Sequence, residues 1–301
     1  MEYDKINKEV WFREKDHVYG NINDPSIKYT SVTTLIGRYE QPFDSDFVSK
    51  YKALERLLPT DVWKKEKGGI WKSHKIPKDF LEVYDIDEKE LNKVQQDILD
   101  EWAEINRISC ERGTKIHAQL ENSFYKAGSN ITLKKFGIGG KFECKKDYSE
   151  LDLEYGVYPE YLIYYDNPKL DLHIAGQIDL IVKNNNEITI IDHKSNKKID
   201  LKGFYDSSTR SEKKMKYPLG TLGDCNYNHY QLQLSTYAWM LQKLHPDFII
   251  KDLILNHYDH EGNNTLYHCT YLKDDVEKML KHFARQQKLE NQKKKYERIE
   301  Y

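Results

Sequence analysis

The sequence predicts an α/β protein in which a central mixed β-sheet is flanked by helices. Three observations predict it. Runs rich in Ile, Val and Tyr crowd into residues 157–194, the composition of strands. Apolar residues recur at helical spacing before and after that block. The resulting order of helix, three strands, helix, two strands, helix suits a sheet with helices packed against it.

Taken along the chain, residues 8–20 alternate and read as a short hairpin. Residues 44–57 and 86–126 read as helices. In the second, Leu91, Val94, Ile98, Trp102 and Ile105 recur at helical spacing, Gly113 interrupts the pattern, and Ile116, Leu120 and Phe124 resume it. Strands follow at 157–165, 173–183 and 187–194. A helix at 228–244 carries Leu234, Tyr237, Ala238 and Leu241 on one stripe. Residues 248–258 and 265–272 form a second hairpin around Gly262-Asn263-Asn264, and a basic helix spans 273–298. Its Lys293-Lys294-Lys295 run reads as a solvated helix end. No Pro/Gly/Ser linker and no repeat divides the chain. One domain over 1–301 is expected, with 1–105 an N-terminal hairpin and helical extension, 106–245 the core, and 246–301 a C-terminal hairpin plus basic helix.

The chain has 301 residues, with 47 Lys or Arg against 49 Asp or Glu, and a net charge of -2. That balance excludes a globally basic nucleic-acid coat and a globally acidic tail. A polyanionic partner must be held by local basic stretches. No run of about 18 apolar residues exists, so no membrane span is expected. The mixed, charged opening MEYDKINKEV shows neither a secretory nor a transit signal, and a cytoplasmic protein is expected. Cys110, Cys144, Cys225 and Cys269 lack C-x-x-C spacing, which disfavours zinc. Buried free thiols are the simpler expectation than ligation of an iron–sulfur cluster. Abundant Lys, Asn, Ile and Tyr with scarce Ala is the bias an AT-rich phage or bacterial genome produces.

The chemistry concentrates in the strands around Asn184-Asn185-Asn186. A turn centred on Asn185-Asn186 sets Asp179 opposite Asp192, where cross-strand neighbours stand ~5 Å apart. Lys194, two residues beyond Asp192, points to the same face. Apolar neighbours (Leu180, Ile181, Val182, Ile188, Ile190, Ile191) place these charges beside a core. Two carboxylates that close repel unless neutralised, and a hard divalent cation does so through oxygen ligands. An ordinary cross-strand Asp–Lys ion pair fits the same residues. His117 and Glu121, one turn apart on a helix, fit either a site or a surface pair. Gln233 and Tyr237, again one turn apart, fit either a site or a helix edge with one core tyrosine.

Five short motifs stand in order. They are G-T-x-x-H (Gly113, Thr114, His117) on a helix, an acid in the first strand (Glu160), G-x-x-D (Gly176, Asp179), D-x-K (Asp192, Lys194) and Q-x-x-x-Y (Gln233, Tyr237). Together, over residues 113–237, they resemble the RecB-type branch of the PD-(D/E)XK nuclease superfamily, which has a restriction-endonuclease-like core. His17-Val18-Tyr19 followed by Ser31-Val32-Thr33-Thr34, with Trp102 upstream of Arg112-Gly113-Thr114, is similar to phage exonucleases and to mitochondrial genome maintenance exonucleases.

The resemblance implies a role for each residue. Asp179, Asp192, His117 and the backbone carbonyl of His193 would hold Mg²⁺ or Mn²⁺, the imidazole suiting Mn²⁺ somewhat better. Glu160 would help hold the metal or orient the attacking water. Lys194 would position that water and offset charge building on the phosphate. Gln233, Tyr237 and Ser195 would contact DNA beside the scissile phosphate. No Walker A pattern is present, so no motor is fused within these residues. The iron–sulfur members carry a cysteine cluster after the Q-x-x-x-Y helix, whereas here Cys269 alone follows it. Lys197, Lys198, Lys202, Arg210, Lys213, Lys214 and Lys216 could track a phosphate backbone, and 203–227 reads as a loop over the site. The implied activity is a metal-dependent DNA exonuclease favouring single-stranded ends, with phage recombination or replication proteins as candidate partners. A structure-specific endonuclease and a non-cleaving DNA-binding protein are the alternatives.

Overall fold

The computed structural model describes residues 4–145, 153–206 and 209–297, with side chains as far as 293. The expected Lys294, Lys295 and Arg298 contributions of the last helix lie outside the described residues. The chain packs as two compact units. One comprises residues 1–40, 113–204 and 213–301, the other residues 41–112 and 205–212.

The first unit opens with β1 (Lys5–Asn7), β2 (Val10–Arg13) and β3 (Val18–Asn21), paired antiparallel in that order. The hairpin expected at 8–20 therefore gains a third strand, too short for alternation to reveal. β4 (Thr30–Ser31) runs straight into α1 (Val32–Gly37), where the Ser31 side chain accepts from the Thr34 N–H.

The second unit is helical. α2 (Ser45–Leu57), α3 (Thr60–Ser73), α4 (Phe80–Val83) and the first part of α5 (Glu88–Ala127) enclose Phe47, Leu54, Trp63, Ile70, Phe80, Leu91 and Ile98. α3 escapes a periodicity reading because it buries only Trp63 and Ile70 and carries two consecutive glycines. The α5 stripe ends earlier than expected, since Ile105 is 62% exposed. Gly113 does not interrupt α5, which runs unbroken through it; residues up to Arg112 belong to the second unit and those from Gly113 to the first.

Back in the first unit, β5 (Ile131–Leu133) and β6 (Ile138–Phe142) form a hairpin. The central sheet follows, with β7 (Gly156–Asn167), β8 (Leu172–Asn184) and β9 (Glu187–Lys194). The short β10 (Tyr205–Asp206) and β11 (Ser211–Glu212) pair within the second unit. α6 (Asn226–Leu244), β12 (Ile249–Tyr258), β13 (Asn264–His268) and α7 (Lys273–Glu297) complete the chain. The sheet order is β13-β12-β9-β8-β4, with β7 on the other edge of β8. β12–β9 and β4–β8 are parallel and the remaining pairs antiparallel, so the sheet is mixed as predicted.

Both faces of that sheet are covered, which is why its strands read as near-continuous apolar runs. On one face Ile163, Ile178, Ile181 and Ile190 pack with Leu234 and Ala238 of α6 and Met279 and Phe283 of α7. On the other, Leu180, Val182, Ile191 and Ile254 pack with Ile131, Leu133 and Phe142 of the β5–β6 hairpin and with Phe124 of α5. The stretch read as an open loop at 203–227 is partly anchored, because Met215 and Leu219 are buried in the main core. No disulfide forms among the described residues, and the thiols are not uniformly buried as expected: Cys225 is buried, Cys144 and Cys269 are half-buried and Cys110 is exposed. No described helix is long and apolar enough to cross a membrane.

Candidate active site

Register brings the acids together. Leu180 pairs with Ile191 and Ile181 with Ile190, so the turn lies where the sequence placed it; the ladder ends there, and Asp179 and Asp192 are the next residue on each strand. A third carboxylate comes from β7. Pro159 pairs with Leu180 and Tyr161 with Ile178, which leaves Glu160 in register with Asp179. Glu160, Asp179 and Asp192 thus form a row across three adjacent strands.

The row departs from strict strand alternation. Tyr158 and Tyr161 of β7 face the same core, as do Ile178 and Ile181 of β8. Residues an odd number apart should face opposite ways. Each strand therefore slips by one residue, at the same paired place, and Glu160 and Asp179 are the residues at the slip. Glu160 has φ 50°, in the left-handed region, a conformation costing about 1–3 kcal/mol for such a residue and found where surrounding structure fixes a functional group. The edge of β8 is also open here. β4 pairs with Ile174 and Ala175, β9 pairs from Leu180 onward, and residues 176–179 lie between.

A cavity of about 390 Å³ opens at this place, lined by His117, Glu160, Asp179, Lys194, Gln233 and Tyr237 among others. His117 Nδ1 lies 3.5 Å from Glu160 Oε1 and 3.6 Å from Asp179 Oδ2. Its Nε2 lies 3.0 Å from the His193 carbonyl oxygen. Burial opposes protonation of that ring, but Asp179 and Glu160 more than offset it and push the pKa up to about 9. The His193 N–H donates to Asp179 Oδ2 at 2.6 Å, tying β9 to β8 where the ladder ends.

Asp192 is 1% exposed. Lys194 Nζ lies 2.7 Å from its Oδ2, while Oδ1 is buried with no hydrogen-bond partner among the described residues. Burial raises the Asp192 pKa to about 6, Lys194 opposing and Asp179 adding to the rise. Asp179 is raised as well, first by burial, with His117 opposing and Glu160 contributing. Burial pulls Lys194 down, but Asp192 and Asp179 hold its pKa above the ordinary lysine value. The lysine also stands 4.7 Å over the Tyr230 ring, a cation–π contact.

The helix motif supports this lysine. Gln233 Oε1 accepts from Lys194 Nζ at 3.3 Å, and Gln233 Nε2 donates to the Tyr237 hydroxyl at 3.3 Å. The Tyr237 ring lies against Gly176, where a Cβ would sit 2.6 Å from Cε1. The glycine of G-x-x-D and the tyrosine of Q-x-x-x-Y therefore explain one another. Ser195 does not line the cavity; its Oγ lies 3.5 Å from where a Cβ on Gly113 would stand, an ordinary contact that does not itself demand glycine.

The residues fit a hard divalent cation. Ligand atoms of His117, Glu160 and Asp179 lie within 4.8 Å of one another. Two carboxylates and an imidazole form a donor set suited to Mg²⁺ or Mn²⁺, while the His193 carbonyl meets Nε2 of His117 rather than the Nδ1 that faces the acids. The unpartnered Oδ1 of Asp192 offers a further oxygen. Buried carboxylates without a partner are costly, and a cation relieves that cost.

Sequence reasoning missed three residues around the site, Lys5, Gln177 and Tyr230. Lys5 of β1 donates to the Glu160 carbonyl oxygen at 3.2 Å and lies 3.6 Å from Glu121 Oε1 and 3.9 Å from Glu160 Oε2. Gln177 donates to Glu160 Oε2. Glu121 lines the cavity one turn beyond His117 but meets Lys5, so its pairing is across elements rather than with His117. Tyr230 lies three residues before Gln233, a helical spacing that could have been noticed; nothing near Lys5 in sequence marks it.

A mixed sheet with an acid row, a buried lysine and a cation-suited donor set is the arrangement of a nuclease-like α/β fold. A family model of the PD-(D/E)XK nuclease superfamily matches residues 74–298, and the chain belongs to that superfamily, with its restriction-endonuclease-like fold. The superfamily is one of nucleases. Two solved structures are similar. One, "Putative exonuclease" from Eubacterium rectale, is 13% identical over 84% of this chain and 77% of that chain, with a TM-score of 0.30. The other, SSO0001, is 14% identical over 41% of this chain and 46% of that chain, so this chain spans under half its length, with a TM-score of 0.24. Family membership rests on the family match alone. No curated protein matches.

Proposed function

We propose that the protein is a Mg²⁺- or Mn²⁺-dependent DNA exonuclease of the RecB-type branch that favours single-stranded ends and serves phage or bacterial DNA recombination, replication or turnover. The observation that carries the reading is the row of Glu160, Asp179 and Asp192 beside Lys194 and His117. A bound divalent cation supplies Lewis acidity and makes hydroxide available near neutral pH. His117, Asp179, Asp192 and the His193 carbonyl would hold it, with Glu160 beside them. Lys194, fixed by Asp192 and Gln233, positions the attacking water and offsets charge gathering on the phosphate. Tyr237 holds Gln233, and Ser195 follows Lys194 at the strand end, where the DNA backbone passes.

The experiment incubates the full chain with end-labelled single-stranded, duplex and circular DNA, with Mg²⁺, with Mn²⁺ and with chelator. Stepwise shortening of linear single strands is expected, and chelator stops it. Cleavage of closed circles sinks the exonuclease reading. Unchanged activity in Asp192→Asn or Lys194→Ala sinks the site assignment.

A further inference from the structure

Helix α3 carries Gly68 and Gly69 in its interior. Two interior glycines cost a helix about 2 kcal/mol relative to alanine. Here nothing in the fold requires them. A Cβ at either position would meet no atom within 4 Å, and neither residue has a left-handed backbone. Glycine kept against its propensity, with open space above it, marks a place where something from outside approaches the backbone closely.

That space is a groove of about 540 Å³ within the second unit, lined by Val48, Tyr51, Lys52, Lys67, Gly68, Trp71 and Lys72. Its chemistry has two parts. Tyr51 and Trp71 are half-buried and pack edge to face at 5.0 Å between centroids, so each is held rigid while still bordering the groove. Phe47 and Trp63 pack behind them. The lysines supply charge. Lys52 is paired with Glu55 at 2.6 Å, but Lys67 and Lys72 are exposed and make no ion pair among the described residues. Rigid aromatic rims with exposed lysines are the elements of a single-stranded nucleic-acid site, where bases stack and ammonium groups follow the phosphates. The bare Gly68 backbone lets a flat base lie close to the helix.

We infer that this groove on α2 and α3 is a second, non-catalytic binding site for single-stranded DNA, without base specificity. It rests on the nuclease reading, to which it adds a grip on the same substrate, yet it is tested apart from cleavage.

The test measures binding of a fluorescent oligo-dT of about 10 nucleotides to the full chain in chelator, across a salt series. Gly68→Leu fills the groove with a good helix former. It is expected to leave the melting temperature unchanged or higher and to weaken binding about tenfold. Lys67→Ala with Lys72→Ala, both exposed, is expected to reduce the slope of log affinity against log salt by about 1.4, ~0.7 for each phosphate that a lysine no longer neutralises. Cleavage of a dinucleotide, too short to occupy more than the active-site cavity, should be unchanged in both variants. Wild-type affinity in Gly68→Leu with an unaltered salt slope in the lysine variant overturns the inference. So does a Gly68→Leu loss seen with polyglutamate or anionic vesicles but not with oligo-dT. Absence of all cleavage by the wild type, with these binding results intact, would instead remove the nuclease reading.

Discussion

Gly176→Ala is the most discriminating single change, because its consequence is carried to the site through named contacts. The added Cβ would stand 2.6 Å from Tyr237 Cε1, 2.9 Å from its hydroxyl oxygen and 3.1 Å from Cζ. Carbon atoms at rest stand about 3.5–4.0 Å apart, so the ring must retreat by about 1 Å. Tyr237 is 3% exposed and packed within the main core, which leaves the ring little room to swing. Overpacking of this kind costs about 1–3 kcal/mol. The ring takes Gln233 with it through the 3.3 Å hydrogen bond, and Gln233 takes Lys194. Misplacing a positioned group by ~1 Å costs about 100-fold in rate. Denaturant melts and single-turnover cleavage read the two effects. The control is the double mutant with Tyr237→Ala. Tyr237→Ala alone should cost about 3–5 kcal/mol; once the ring is gone, Gly176→Ala should add almost nothing to that figure. Additive effects, or a Gly176→Ala protein as stable and active as wild type, would refute the coupling of the two motifs.

Three further outcomes are expected. Lys5→Met removes the ammonium shared by Glu121 and Glu160 and should lower stability by about 1–3 kcal/mol together with turnover, while Lys5→Arg keeps most of both; equal melts for Met and wild type would count against it. Asp179→Asn should raise the melting temperature of the protein in chelator while ending cleavage. An acid whose folded pKa is raised costs stability once the pH passes its unfolded value, and Asn removes that cost along with repulsion from Glu160 and Asp192; a lower melting temperature would contradict it. Adding Mn²⁺ should stabilise the wild type by about 2.7 kcal/mol at a hundredfold excess over its dissociation constant and leave Asp179→Asn unmoved; equal shifts in both would place the cation elsewhere.

The Asp179–Asp192 juxtaposition was legible before any coordinates because a tight Asn-rich turn fixes register, and register fixes which side chains meet. The D-x-K geometry followed from period two. The motif helices were legible for a similar reason, since Leu234, Tyr237, Ala238 and Leu241 leave one stripe whatever they pack on. Glu160 was reached through its motif position alone. Its place beside Asp179 depends on matched slips in β7 and β8, and an apolar run buried on both faces carries no alternation to betray a slip.

The sequence by itself determined the mixed sheet, the order of its longest helices, the register of the β8–β9 hairpin and the residue types that suit a divalent cation. These rest on interactions local along the chain or across one short turn. Only the tertiary structure decided that Lys5 neutralises Glu160, that Tyr237 is the reason for Gly176, that Asp192 Oδ1 lies buried without a partner among the described residues, and that α3 keeps open space over its glycines. Each depends on which distant segments pack together, and packing is set by shape and volume in three dimensions rather than by any spacing along the chain.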